Sequence, residues 1–189
     1  DLKHARMLFG PCLACAQGKM RAEPTTHSSR TAPPVDTLNL CIDPFPYAAP
    51  TMGGNKWGHF MVVKQCGYVI LVNHVSKNTT ACENCAGAAI ASLNAYGHKV
   101  GTVSVDHENA YLSIKSFLGT HGVTLDTSIP GRHQTTVERY KQTHNNQVRV
   151  DLAALPYKLP AKLLGELNAH SVMQMNSTVN TKSAPSTPM

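Results

Sequence analysis

The sequence predicts an α/β domain, a mixed five-stranded sheet flanked by helices, and three observations carry that prediction. Residues from Val35 to Val75 read as a three-stranded β-meander, and an alanine-rich stretch from about Thr79 to Tyr96 repeats its apolar residues at helical spacing. From Val100 onward, strand-like and helix-like stretches alternate. An antiparallel start followed by β-α-β elements gives a sheet with both pairing senses and helices on its faces. At 189 residues the chain is long enough for one well-buried domain with a small appendage at each end.

Residues 1–20 hold Cys12-Leu-Ala-Cys15 and then Gly18-Lys19, a tight CxxC of the kind that brings two thiolates to one Zn²⁺. It supplies half a tetrahedral site, with His4 a weak local candidate for a further ligand. Residues 21–34 shift to Thr, Ser, Pro and Arg without apolar periodicity, which predicts a flexible linker before a core spanning 35–176. Val35–Asp43 (VDTLNLCID) is the first expected strand. The turn Thr51-Met-Gly-Gly-Asn-Lys56 precedes Trp57–Lys64, and Gly67–Val75 is the third strand, whose uninterrupted Val69–Val72 run suits cover on both faces.

Thr79 or Thr80 is placed to cap the next helix, with Cys82, Cys85, Ala89, Leu93 and Tyr96 along one face. On an apolar stripe, the second CxxC reads as small core residues rather than as metal ligands. Gly97 ends that helix, and Val100–Asp106 is a strand. A short helical stretch at Ala110–His121, a strand at Gly122–Thr127 and a loop at Ile129–His133 follow. The helix that begins near Gln134 puts Val137, Tyr140, His144, Val148 and Leu152 on one side and Glu138, Gln142, Asn145 and Arg149 on another. Prolines in Leu155–Pro160 break it, and a last amphipathic helix from Ala161 to about Met175 should turn Leu163, Leu164 and Leu167 inward. The segment 177–189 is a polar tail.

Lys and Arg number 17 against 11 Asp and Glu, for a formal charge of +6 and a pI near 9.1. That balance favours an anionic partner, although the charge is spread rather than blocked. No run approaches the roughly 18 apolar residues of a membrane helix. The N-terminus DLKHARM has no initiator Met and no signal-peptide layout, so the chain reads as a fragment of a longer one. Six cysteines, four of them in CxxC pairs, do not resemble a disulfide-dense secreted scaffold and suggest a reducing intracellular setting.

Asp106 ends a strand and Glu138 lies one turn into a helix, with 31 residues between them. Carboxylates on two such elements are hard oxygen ligands suited to Mg²⁺ or Mn²⁺. Two such ions can activate a hydroxyl and stabilise the leaving oxygen in phosphodiester displacement. The bland alternative is a strand-end turn acid and a first-turn acid favoured by the helix dipole. His144, on the apolar side of its helix, reads as a packed structural residue, and His107 either tunes Asp106 or is solvated.

The order CLACAQGK, GGNKW, GYVILV, VSVDHENAY, TSIPGRHQTTVERYKQTHNN and LPYKLPAKLLGELNA resembles the integrase region of copia-type LTR retrotransposon Pol polyproteins over nearly the whole chain. The resemblance implies an RNase H-like catalytic core with an Asp, Asp, Glu triad and two divalent metals, acting in 3′-end processing and strand transfer of retroelement DNA. It implies that Cys12 and Cys15 belong to an HHCC zinc module, that Asp106 is the second acid and that Glu138 is the third. It also places Gln142, Asn145 and Arg149 near DNA phosphates. Double-stranded DNA partners, a homo-oligomer and a nuclear location after a cytoplasmic particle stage come with it.

The chain departs from the family pattern at several points. The Asp-to-Glu interval is short, His107-Glu108 replaces Asn-Gly, and Asn39 stands where the family has His. The family's first Asp normally precedes Gly-Pro, but here the run is Leu38-Asn-Leu-Cys41-Ile-Asp43-Pro44. Aligned from the strand side, Cys41 takes the catalytic position; aligned from the proline side, Asp43 serves as the acid. A soft thiolate is a poor Mg²⁺ ligand, so the first alignment describes an inactive protein. Asp43 is the preferred first acid. It shares a face with Cys41 but sits about 6.6 Å further along the strand, so it serves only if a local bulge brings it to Asp106. Three readings follow: a DNA strand-transfer enzyme using Asp43, Asp106 and Glu138; a catalytically inactive DNA-binding remnant or domesticated relative; and, more weakly, a cysteine-rich zinc protein dependent on Cys82.

Overall fold

The computed structural model describes residues 37–106, 109–127 and 135–178. Cys12, Cys15, the 21–34 segment, His107, the 129–133 loop and the tail beyond Thr178 lie outside the described residues. In chain order the elements are β1 (Leu38–Pro46), β2 (Trp57–Val63), β3 (Val69–His74), α1 (Thr79–Ala95), β4 (Val100–Val105), α2 (Asn109–Leu112), α3 (Lys115–Thr120), β5 (Thr124–Thr127), α4 (Thr135–Ala154), a 3-10 turn (Ala161–Leu163) and α5 (Leu164–Ser177).

The five strands form one sheet of order β3-β2-β1-β4-β5. β1, β2 and β3 pair antiparallel in sequence order, while β4 joins β1 and β5 joins β4 in parallel after helical crossovers. β1 extends past Asp43 to Pro46. Its pairing with β4 ends at Ile42, so the segment holding Pro44 and Pro46 has only β2 beside it. That edge setting is where proline is tolerated in a sheet.

Alternation along the central strands builds two cores. Leu40, Ile42, Met61, Val63, Val103 and Val105 face α1, whose Cys82, Cys85, Ala86 and Ala89 are buried against them. Alanine and cysteine lie where the helix meets the sheet, so the backbones approach closely and the two thiols serve as small apolar groups. Burial, with Cys82 adding to it, pushes the Cys85 thiol up to about 12, so it is protonated near neutrality. On the opposite face Cys41, Phe60, Val62 and Val69 meet Val137 of α4 and Val172 of α5. β3 lies at the sheet's end, yet both faces are covered: Ile70 and Val72 join the first core and Leu71 the second. The uninterrupted Val69–Val72 run records that double cover.

Three expectations about the helices change. Asn78, not Thr79 or Thr80, caps α1, its side chain accepting the Ala81 N–H at 2.9 Å. Tyr96 is 69% exposed because the chain has already left the helix at Ala95 and turns through Gly97 at φ 81°. In α5 the buried positions are Gly165, Asn168, Ser171 and Val172, while Leu163, Leu164 and Leu167 are only half-buried. A Cβ on Gly165 would lie 2.7 Å from Thr51 Cγ2, so close approach to the β1–β2 connection selects a residue without one.

Polar contacts replace leucines between α4 and α5. Ser171 Oγ donates to Asp151 Oδ2 at 2.7 Å, Gln147 Nε2 donates to Asp151 Oδ1 and to Gln174 Oε1, each at 2.8 Å, and His144 Nε2 is 3.2 Å from the Asn168 carbonyl oxygen. Such a network holds only while every buried group keeps its partner.

Candidate active site at the ends of the parallel strands

Parallel strands point their C-terminal ends the same way, and side chains level with one another emerge on the same face. Leu40 is opposite Val103, Cys41 opposite Ser104 and Ile42 opposite Val105. The pairing stops there: Asp43 is the next residue of β1, and Asp106 immediately follows β4. The register shift between the paired parts of the two strands lies at Leu38/Asn39.

Cys41 is one pleat deeper. It is 1% exposed and packed with Phe60, Val62 and Val137. Asp43 shares its face but lies beyond that core. Alternation therefore turns Asp43 toward α4, the helix that crosses this face with Glu138, half-buried, in its first turn. Gln142, Asn145 and Arg149 continue from Glu138 along α4 and are exposed.

One contact here has no counterpart in the sequence reading. Lys141 Nζ lies 2.6 Å from Asp43 Oδ2, with the two side chains 24% and 19% exposed. Lys141 is three residues after Glu138, between the apolar and polar stripes of α4, and its ammonium lies 6.0 Å from the centroid of the Phe45 ring. A fourth acid was also missed: Asp126 of β5 is level with Ser104 and accepts its hydroxyl at 3.1 Å. Neither residue belongs to a recognisable local pattern, and strand pairing alone brings them to this face.

The wall beside the acids is aromatic. The Phe45 and Tyr47 rings meet edge to face at 5.3 Å, and a Cβ on Gly58 would lie 2.6 Å from Phe45 Cζ, so the ring packs against bare backbone there. Tyr47 donates to Asn73 Oδ1 at 2.6 Å. Burial first, then nearby Glu166, pushes its hydroxyl up to about 12. His144 is 1% exposed and lies 5.1 Å from the Phe60 ring centroid. Burial draws its imidazole below the usual value, outweighing the opposite pull of the Asn168 carbonyl, and it is a packed structural residue as expected.

Asp43, Asp106 and Glu138 are hard oxygen donors, the chemistry that Mg²⁺ and Mn²⁺ accept, so the donor set fits such a cation. As they stand the three are not gathered around one point: among the described residues no three of His, Cys, Asp and Glu form a group that could hold a metal ion. Asp43 is engaged by Lys141 instead. Among the described residues no helix is long and apolar enough to cross a membrane.

A mixed sheet of order β3-β2-β1-β4-β5, flanked by helices, is the RNase H-like architecture of integrase catalytic cores. No protein-family model and no curated protein sequence matches the chain. Solved structures do. The HTLV-2 integrase catalytic core domain, in complex with magnesium and in a trimeric form, superposes with a TM-score of 0.59 at 17% identity, over 79% of this chain and 92% of that one. The catalytic core domain of BIV integrase gives 0.59 at 14% identity, over 79% and 90%. A simian T-cell lymphotropic virus intasome in complex with PP2A regulatory subunit B56 gamma gives 0.63 at 17% identity, covering 100% of this chain and 65% of that one. At these identities the likeness is one of fold.

Proposed function

We propose that this chain is the catalytic core of an integrase of the copia retrotransposon type, a polynucleotidyl transferase for DNA 3′-end processing and strand transfer. The observation that carries the reading is the contact of Lys141 with Asp43, which brings α4, the helix with Glu138 in its first turn, to the end of β1, while the neighbouring parallel strand β4 ends just before Asp106. In this reading Asp43, Asp106 and Glu138 supply carboxylate oxygens to a pair of Mg²⁺ or Mn²⁺ ions. When bound, such ions favour ionisation of the attacking hydroxyl and stabilise the departing oxygen. The HTLV-2 core, solved with magnesium, supports a divalent cation.

The exposed row Gln142, Asn145 and Arg149 meets backbone phosphates, fixing the duplex along α4 without reading its sequence. The net positive charge of +6 supports a DNA partner, and the trimeric form of the HTLV-2 core supports a homo-oligomer. The rest of the proposal lies outside the described residues, apart from Ser177 and Thr178 at the end of α5: Cys12 and Cys15 as zinc ligands in a 1–20 module, a linker at 21–34 and a tail over 177–189. A nuclear site of action after a cytoplasmic particle stage belongs to the same reading.

The competing reading is a DNA-binding remnant without catalysis, and the hold of Lys141 on Asp43 is what favours it. A strand-transfer assay with a labelled DNA end and Mn²⁺ separates the two. The enzyme reading expects joined product that falls about 100-fold or more in both Asp106→Asn and Glu138→Gln, the scale of losing a metal-held transition-state contact. Absence of product, or product unchanged by both substitutions, leaves the remnant.

A further inference from the structure

Lys141 brings to this site a positive charge that a set of metal-binding acids does not require. Its ammonium lies within hydrogen-bonding distance of Asp43, and both groups are mostly sheltered from water. There the attraction is screened less than between fully exposed groups. β1 and α4 bring the pair together across 98 residues of sequence, and the same helix that carries Glu138 delivers the lysine. An ammonium and a divalent cation repel one another and compete for the same carboxylate oxygens. Lysine, with a compact charge on a flexible four-carbon stem, can give up such a contact without moving the backbone.

We propose that Lys141 is a built-in counter-cation for Asp43, a positioning residue that holds this carboxylate away from the other two acids and must leave before a divalent cation loads. The inference rests on the metal-binding reading of Asp43, Asp106 and Glu138. Metal loading then depends on the position of one side chain on α4, and anything that draws the ammonium elsewhere favours loading.

The test is Mn²⁺ binding to the full chain without DNA, measured by the electron paramagnetic resonance signal of the free ion. Lys141→Met keeps the stem beside Phe45 and removes the charge; Lys141→Gln is the second variant if that one does not fold, and Lys141→Arg keeps the charge. Met or Gln should bind Mn²⁺ about tenfold more tightly than the wild type, and Arg as weakly as the wild type, the size expected for removing one close like charge. If Lys141→Met or Lys141→Gln binds no more tightly while Asp106→Asn still removes binding, the counter-cation role is overturned and the metal site stands. If the neutral variants bind no Mn²⁺, or bind it regardless of Asp43→Asn and Asp106→Asn, both the role and the metal reading fall.

Discussion

Exchanging the two candidates for the first acid gives opposite results in stability and in activity. Cys41 is 1% exposed in the core beneath α4, so Cys41→Ala removes a buried sulfur and leaves a small cavity, a loss of about 1–2 kcal/mol. For a domain of this size that corresponds to a drop in Tm of roughly 3–10 °C. Strand transfer per folded molecule should be unchanged. Asp43→Asn removes a partly sheltered ion pair with Lys141, worth about 0.5–1 kcal/mol. It should nonetheless lower strand transfer about 100-fold or more, because a neutral amide is a weak ligand for a hard cation. Thermal unfolding followed by circular dichroism, with a DNA-joining assay at a temperature where both variants are folded, measures the two axes. If Cys41→Ala abolished joining while Asp43→Asn retained it, the assignment of Asp43 as the first acid would be refuted.

Two further outcomes follow from the packing around α4. Gly67 adopts φ 78°, and a Cβ there would run into the hydroxyl of Tyr140. Gly67→Ala should therefore cost about 2–4 kcal/mol in urea unfolding, part of it recovered in the double variant with Tyr140→Phe; a neutral Gly67→Ala would mean that the ring does not sit there. Burial keeps His144 neutral when folded, whereas in the unfolded chain it takes up a proton below about pH 6.5. The unfolded state then binds more protons, so this contribution to stability is present above about pH 6.5 and is lost as pH falls through the lowered folded-state pKa. Urea midpoints at pH 7.5 and 5.5 should separate more for the wild type than for His144→Gln.

Much of this architecture is legible in the residues. The meander, the α1 stripe and the strand and helix spacing beyond Val100 follow from periodicity, because each element buries a face defined by its own repeat. The first acid is different. Cys41 and Asp43 are two residues apart on one strand, so alternation gives them the same face and cannot choose between them. Only tertiary packing separates them: Cys41 lies level with Ser104 in the core beneath α4, whereas Asp43 lies beyond the last β1–β4 pair and meets Lys141. Lys141 escaped notice for a similar reason, its partner being 98 positions away. The inward leucines expected of α5 failed because α4 offered that helix polar partners, such as Asp151 for Ser171, and polar complementarity between helices has no sequence period.

The outer strand β3 would offer its free backbone groups to any extended chain. At Val69 that edge is closed by Asn176, whose carboxamide accepts the backbone N–H at 2.9 Å and donates to the carbonyl oxygen at 2.8 Å, as a neighbouring peptide would. The residue that caps the sheet lies in the last described helix, 107 positions downstream. During synthesis the sheet's five strands therefore emerge before their edge is sealed, and through that interval β3 is open to templated pairing and aggregation between nascent chains. A chain cut short of Asn176 would keep the residues of every strand while losing the side chain that occupies the Val69 backbone groups.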